Sequence, residues 1–307
     1  MIRPSIPCHQ TLLALAKSVF CASLLMGCSA ESPPIDNTDR PLLATTSPIA
    51  RMVGAIMGHP VERLVPKGVD ATQWSPNENQ INKMTQSFLI SNGRGFETTL
   101  RKYDLPRRSW LRSADMLTQP PILHDMVEHQ HGPEGTHSHG VVDGHTWVDP
   151  ATASMQLEVI RQRLVQEGFC SELESQDNSR QMVDKLRVIH QEFAGLDLRS
   201  ITLYANRPIY DYLARTHGWA LTSFDLDPAS PLPTEVASEL QTQDGVKIML
   251  FESPPGPALS ADLDQIQVQP VVLRTGESPD HDGGWPECLR AGAARLKQAT
   301  ASPSAQK

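Results

Sequence analysis

Between His124 and His145 the chain reads HDMVEHQHGPEGTHSHGVVDGH and runs on into TWVDP. Six of its eleven histidines (His124, His129, His131, His137, His139 and His145) fall in this one stretch. Neutral imidazole is the commonest protein ligand for borderline transition metals, so this density describes a zinc-collecting surface. His129 and His131 flank one glutamine, and His137 and His139 one serine, so each pair can chelate from an extended segment. His145 stands apart, beside Trp147, Asp149 and Pro150 rather than among glycines. The contrast predicts a mobile metal-gathering loop that delivers to a folded site. The bland alternatives are a polar insertion without function and, for His145, a structural histidine packed on Trp147.

The N-terminus sets the compartment in which such a site would work. Arg3 gives a positive start, Thr11 to Met26 is mostly apolar without an acidic residue, and Leu25-Met26-Gly27-Cys28 ends the run. A charged start, a short apolar core and small residues before the cut describe a secretory signal, too short for a spanning helix. The LMGC ending resembles a bacterial lipobox, which implies Cys28 as the lipid attachment point; an ordinary signal peptide or an N-terminal anchor helix is the alternative. A lipid would hold the chain at a membrane surface. The Pro-, Ser- and Thr-rich residues that follow read as a disordered tether. Loss of residues 1–27 removes Arg3 and Lys17, leaving 25 basic against 35 acidic side chains, a net of −10. That balance argues against nucleic acid and suits a cation ligand. Two cysteines remain beyond the anchor, Cys170 and Cys288; an oxidising compartment permits a bridge between them, and two buried thiols is the other reading.

The elements that must position these residues alternate helix and strand. Ile49 to Met57 has helical spacing, Val61 to Val65 alternates like a strand, Glu78 to Gln86 is helical, and Ser87 to Ser91 is a buried strand. Beyond the histidines, Ala151 to Glu167 and Asp177 to Ala194 are amphipathic helices. Ser200 to Tyr204 is a strand, Pro208 to Thr216 a helix with proline in its first turn, Val246 to Phe251 a buried strand, and Pro286 to Ala299 a last helix. This is an α/β pattern. Trp74, Trp147 and Trp219 are expected as packing aromatics, and His190 and His217 as solvated residues on or at helix ends. His59 ends a predicted helix, where a cationic ring suits the dipole.

With these elements in place, the chain resembles the solute-binding lipoproteins of zinc and manganese ABC transporters. Four segments carry the resemblance: Pro48 to Gly68, Val69-Asp70-Ala71-Thr72-Gln73-Trp74-Ser75-Pro76, Gly144-His145-Thr146-Trp147-Val148-Asp149-Pro150, and Arg207 to Arg215 followed by Gly218. It implies an α/β fold of two α/β lobes, each a small mostly parallel sheet with flanking helices, joined by one long rigid helix. The expected layout is a signal over 1–27, a tether over 28–46, a first lobe over 47–172 carrying the histidine-rich loop 124–145, a linking helix over 173–197, and a second lobe over 198–307. It further implies a monomer with a permease as partner, zinc or manganese as cargo, and metal bound between the lobes.

The ligand set departs from the family pattern. Where the first loop usually supplies a histidine this chain has Thr72, and where the third segment supplies a histidine or glutamate it has Arg207. His145 is retained. For the fourth donor the resemblance points to Asp280, His281 and Asp282, with Glu252 a weaker candidate. Threonine hydroxyl is a poor metal ligand, and arginine is a fixed cation that repels a divalent ion by several kcal/mol at a few ångströms, at an effective dielectric of about 20. A normal four-ligand site between the lobes therefore requires Arg207 to swing out or to pair with a carboxylate such as Asp225 or Glu252. Two readings of the metal follow. Either His145, His281 or a neighbouring aspartate, and recruited loop histidines complete a shell, or the cleft holds no metal and only the loop binds it. A homologue that has lost its metal, with Arg207 facing a small anion, is the rival within the fold. A zinc hydrolase is the rival outside it, disfavoured because the chain has no HExxH and no GxSxG.

Overall fold

The computed structural model describes residues 40–124, 141–277 and 283–301. The first lobe contains β1 (Leu42–Ala44), α1 (Ser47–Met57), β2 (Glu62–Arg63), α2 (Glu78–Gln86), β3 (Phe88–Ser91), β4 (Trp110–Arg112), the short strands β5 (Leu123–His124) and β6 (Val141–Val142), and α3 (Pro150–Gln166). Helix α4 (Glu172–Ala194) then leads to the second lobe: β7 (Ile201–Ala205), α5 (Asp211–His217), β8 (Leu221–Ser223), α6 (Thr234–Gln241), β9 (Val246–Phe251), α7 (Pro257–Gln265), β10 (Val268–Val272) and α8 (Glu287–Thr300). Each lobe is built on a four-stranded sheet, in the orders β2-β1-β3-β4 and β10-β9-β7-β8. All the pairings within both sheets are parallel. The two-lobed α/β expectation holds, with helices covering the sheets.

The segment expected to be tether up to residue 46 is corrected at its C-terminal end. Leu42–Ala44 is an inner strand of the first sheet, with Leu43 and Ala44 fully buried. Three residues are too few to display a period, and Pro41 and Thr45 disguise the run. The first strand therefore precedes Pro48 rather than lying in the Pro48 to Gly68 segment. Pro208 is also displaced from its expected role. Helix α5 begins at Asp211, and residues 207–210 form a turn in which the Ile209 N–H bonds the Arg207 carbonyl at 2.9 Å. Buried Tyr210 anchors that turn, its hydroxyl donating to the Leu273 carbonyl at 2.7 Å. Arg207 consequently sits on a loop at the end of β7. Neither Cys170 nor Cys288 forms a disulfide.

Helix α4 is set by local chemistry before any packing. Ser171 and Glu174 make a capping box, Glu172 and Glu174 complement the helix dipole, and no glycine or proline interrupts the 23 residues. At 1.5 Å per residue it runs about 34 Å. It packs on α1 and α3 of the first lobe and on α8 of the second. Leu186, Ile189 and Phe193 on its buried face join a single core containing Leu43 and Leu89 of one sheet and Leu203, Ile248 and Leu250 of the other. Strand β9 alternates across its sheet: Ile248 and Leu250 face that shared core, while Met249 and Phe251 face a smaller cluster with Leu259 and Leu263 of α7. No described helix is long and apolar enough to cross a membrane.

Two tryptophans close the lobes on each other. The Trp147 indole N–H donates to the Thr275 carbonyl at 3.0 Å, and the Trp285 indole N–H donates back to the Trp147 carbonyl at 3.1 Å. Both side chains are fully buried. Trp285→Phe keeps most of the ring volume but strands the Trp147 carbonyl, an expected loss of about 1–3 kcal/mol. Trp147→Ala adds a cavity, an expected loss of about 3–5 kcal/mol. In urea unfolding both variants should retain one cooperative transition; two resolved transitions would show that the lobes fold independently.

Candidate metal centre between the lobes

A cavity of about 230 Å³ lies between the lobes, lined by Thr46, Arg63, Asp70, Thr72, His145, Arg207, Glu252 and Glu277 among others. His145, Thr72, Arg207 and Glu252 thus meet in one place. His281 and Asp282, with Asp280, lie outside the described residues, as do His129, His131, His137, His139 and Cys28. The carboxylate that does reach the cleft in their neighbourhood is Glu277, which the sequence reading passed over. It follows β10 at the C-terminal end of a parallel sheet, where ligand sites of open α/β folds gather. That signal was silent because β10 itself was not recognised.

Each of the two central side chains is set by a glycine backed onto aromatic packing. A Cβ on Gly144 would stand 2.6 Å from Phe96 Cβ. The Phe96 ring packs edge-on to His145 at 5.1 Å and to Trp147 at 4.7 Å. Gly276 has φ +79°, and a Cβ there would meet Cys288 Sγ and Trp285 Cβ at 2.7 Å. Glycine alone lets both chains approach the core this closely. Buried Asn92 at the end of β3 fixes the first of them, donating from Nδ2 to the Gly144 carbonyl at 2.6 Å.

His145 Nδ1 bonds Asp143 Oδ1 at 2.9 Å, and its backbone N–H donates to the same oxygen at 2.8 Å. This is the carboxylate–imidazole pairing that orients a metal-binding histidine, and it leaves Nε2 without a hydrogen bond among the described residues. Burial works against the charged imidazole. The hydrogen bond and charge of Asp143, reinforced by Glu277 and Glu252, outweigh it, and the pKa rises above the ordinary histidine value. Burial also pushes the Glu277 carboxyl up to about 7; Glu252 and Asp70 add to the rise, while the Ala71 N–H and His145 oppose it. That Ala71 N–H donates to Glu277 Oε1 at 3.0 Å, tying the first lobe's loop to the second lobe's carboxylate. Glu252 accepts from the Thr275 hydroxyl. Thr72 is occupied locally, its N–H and hydroxyl both donating to Asp70 Oδ1 at 2.8 and 2.6 Å. Arg207 lines the cavity without an ion pair to any described carboxylate, so the expected pairing with Asp225 or Glu252 is not formed.

Two further clusters gather ligand-type atoms within 4.8 Å of one another: Asp149, His190 and His217, and His124, Asp143 and Asp211. The first corrects the expectation that His190 and His217 are solvated. Their rings lie 5.0 Å apart at a tilt, His217 stacks on Trp219 at 5.2 Å, and burial lowers the pKa of His217. Tertiary packing beside Phe193 and Trp219 half-buries them, an effect that helical periodicity does not carry.

Two parallel-sheet lobes on a helical spine, with histidine and carboxylates meeting in the cleft between them, define a solute-binding protein of the metal-binding class. Residues 42–299 match the family model described as zinc-uptake complex component A, periplasmic (ZnuA), and the chain belongs to that family. The Zn(II)-bound ZnuA-like domain of Streptococcus pneumoniae AdcA superposes with TM-score 0.69 at 19% identity, covering 86% of this chain and 99% of that one. The metal-dependent lipoprotein YcdH from Bacillus subtilis gives TM-score 0.68 at 17% identity, over 84% and 98% of the two chains. FpvC from Pseudomonas aeruginosa in complex with Mn²⁺ gives TM-score 0.67 at 18% identity, over 87% and 98%. A search of curated protein sequences finds no match.

Glu277 makes the cleft sensitive to pH in the metal-free chain. The folded chain keeps a proton on Glu277 up to about pH 7, whereas the unfolded chain releases it near 4.5. Stability from this group is therefore present below about pH 4.5 and is lost as pH rises through 7. Glu277→Gln removes the loss. Relative to the parent, its unfolding free energy should gain on the order of 2 kcal/mol between pH 5 and pH 8 in urea titrations. A difference that does not change with pH would mean that Glu277 ionises normally.

Proposed function

We propose that this chain is the extracytoplasmic solute-binding component of a metal uptake system, taking zinc first and manganese second and passing the ion to an ABC permease. The observation that carries the reading is the cleft pair His145 and Glu277. The histidine is oriented by Asp143 with Nε2 unengaged, and the carboxylate is held from the opposite lobe in the same cavity. Glu252 and Asp70 line that cavity too, so the donor set is one imidazole with oxygens, which suits both ions. The Zn(II)-bound and Mn²⁺-bound relatives support the same two ions. His281 and Asp282 follow Glu277 closely in the sequence and are proposed as further donors. His129, His131, His137 and His139 are proposed as weak tethered sites that raise local ion concentration. Residues 1–27 are read as a lipoprotein signal, Cys28 as the lipidated residue and the mature chain as a monomer; the Bacillus subtilis relative, itself a lipoprotein, supports the anchor. The family to which the chain belongs, that of solute-binding proteins, supports reading it as a binding protein rather than an enzyme.

One observation favours a second reading. Arg63 and Arg207 both line the cavity, beside Thr46, whose buried hydroxyl has no hydrogen-bond partner among the described residues, at the start of α1. Two guanidinium groups at a helix N-terminus suit a small oxyanion.

Isothermal titration separates the two readings. The metal reading expects submicromolar Zn²⁺ binding that weakens at least about tenfold in both His145→Ala and Glu277→Gln. Arg207→Ala should leave zinc affinity unchanged or raise it. The oxyanion reading expects phosphate to bind and Arg207→Ala to abolish that binding. Absence of submicromolar zinc binding to the mature chain overturns the metal reading.

A further inference from the structure

The cluster of His124, Asp143 and Asp211 is distinct from the cleft and is assembled from three separate elements. His124 ends β5, Asp143 follows β6, and Asp211 opens α5 of the other lobe. Tyr212, beside Asp211 and almost fully buried, holds the arrangement in register. Its hydroxyl donates to the Asp143 carbonyl at 3.2 Å, receives the Ile122 N–H at 3.4 Å, and receives Arg94 Nη1 at 2.5 Å. The Asp143 N–H closes the base of the hairpin on the Ile122 carbonyl at 2.9 Å.

Three polar atoms of these residues are buried and have no hydrogen-bond partner among the described residues: His124 Nε2, Asp143 Oδ2 and Asp211 Oδ2. The Asp143 side chain is wholly buried, and His124 Nε2 stands 3.8 Å from Asp211 Oδ2. Leaving two carboxylate oxygens and an imidazole nitrogen unsatisfied together is costly, because each has been stripped of water without a replacement. In the other cluster His190 Nδ1 and His217 Nε2 are likewise unpartnered among the described residues, but the carboxylate differs. Asp149 accepts from the backbone N–H groups of Ala151 and Thr152 and from the hydroxyls of Thr152 and Thr216, so its oxygens are already committed to capping α3 and joining the lobes.

We propose that His124, Asp143 and Asp211 form a second transition-metal site, of the zinc class, coupled to the cleft through Asp143. The chemistry fits. One neutral imidazole and two carboxylates balance a divalent charge, and a zinc ion with three protein ligands keeps a fourth position for water. Bonds of about 2.0–2.2 Å in a tetrahedron put neighbouring donors roughly 3.4 Å apart, so the 3.8 Å separation here needs only a small closure. Asp143 is the junction: its Oδ1 bonds His145, its Oδ2 is buried without a hydrogen-bond partner among the described residues, and a carboxylate oxygen of it lies within 4.8 Å of ligand atoms of His124 and Asp211. In the sequence the site stands at both edges of the histidine-rich stretch, between the collecting residues and the cleft ligand. This inference goes beyond the reading of the cleft and does not depend on it.

The test uses zinc itself on the mature chain, with stoichiometry from titration and positions from anomalous scattering at the zinc edge in crystals. The parent should give an anomalous peak about 2.0–2.2 Å from His124 Nε2 and an oxygen of each aspartate. Asp211→Asn should abolish that peak and lower the number of bound zinc ions by one, while leaving the fold, read by circular dichroism, intact. His124→Gln tests the same site from the hairpin side if Asp211→Asn proves unstable. His145→Ala should remove the cleft ion and keep this one, which separates failure of the two readings. No peak at the cluster in zinc-saturated crystals, or a stoichiometry unchanged by Asp211→Asn and His124→Gln alike, overturns the proposal.

Discussion

Two indole N–H groups crossing in opposite directions between the lobes are the constraint on which the cleft depends. Trp147 reaches the Thr275 carbonyl and Trp285 reaches back to the Trp147 carbonyl. Each bond holds the backbone two residues from a cleft side chain, His145 on one side and Glu277 on the other. A buried indole that loses its acceptor has no water to replace it, so separating the lobes would orphan both donors at once. The glycines on the cleft side of this clasp are a consequence of it: Gly144 lies against Phe96 and Gly276 against Trp285, where a Cβ has no room. Together with the shared core along α4, the clasp makes the two lobes one mechanical body.

What could be read from the sequence follows from what periodicity encodes. Helix α2 and strand β9 match their expected ranges, and α3, α4 and α8 agree within a few residues at most ends; α2, α3 and α4 carry side-chain N-caps, and β9 and α8 bury most of one face. Strands β1, β4 and β8 span three residues each, too short for any pattern, and are strands only because neighbours pair with them. Strand β10 escapes for a different reason, since Gln269 and Pro270 break its apolar run on a sheet edge where proline is tolerated. Its omission hid Glu277, because an acidic residue draws notice only when it is known to sit at a strand's carboxyl end. His145, Thr72 and Arg207 were legible because motif spacing fixes them. Asp143 was not, since its role arises from a side-chain bond made two residues away.

The charge pattern in the cleft departs from a simple cation site in an instructive way. Arg63 and Arg207 line the same cavity as Asp70, Glu252 and Glu277, yet no ion pair joins Arg207 to any described carboxylate. Each carboxylate has another partner: Asp70 binds the Thr72 backbone and hydroxyl, Glu252 the Thr275 hydroxyl, and Glu277 the Ala71 N–H. Hydrogen bonds from neutral donors hold these groups without cancelling their charge, so the negative potential remains available to a mobile cation. Burial is the main cause of the elevated pKa of Glu277, and the charges of Glu252 and Asp70 add to it. A divalent ion displacing its proton would relieve carboxylate repulsion and meet the arginines as the remaining opposition.

Asp143 links this balance to the histidine-rich stretch. Its Oδ1 bonds His145, its Oδ2 is buried without a hydrogen-bond partner among the described residues, and the carboxylate comes within 4.8 Å of ligand atoms of His124 and Asp211. A carboxylate divided in this way cannot respond independently on its two sides. Positive charge placed at Oδ2 draws electron density from Oδ1 and weakens its hold on the His145 proton, so the imidazole becomes a poorer cation and a readier ligand through Nε2. Removing that charge restores the Asp143–His145 bond and favours the protonated ring. The local geometry thus lets occupancy beside the hairpin bias the state of the cleft histidine through one buried side chain, without any movement of the lobes that the tryptophan clasp holds fixed.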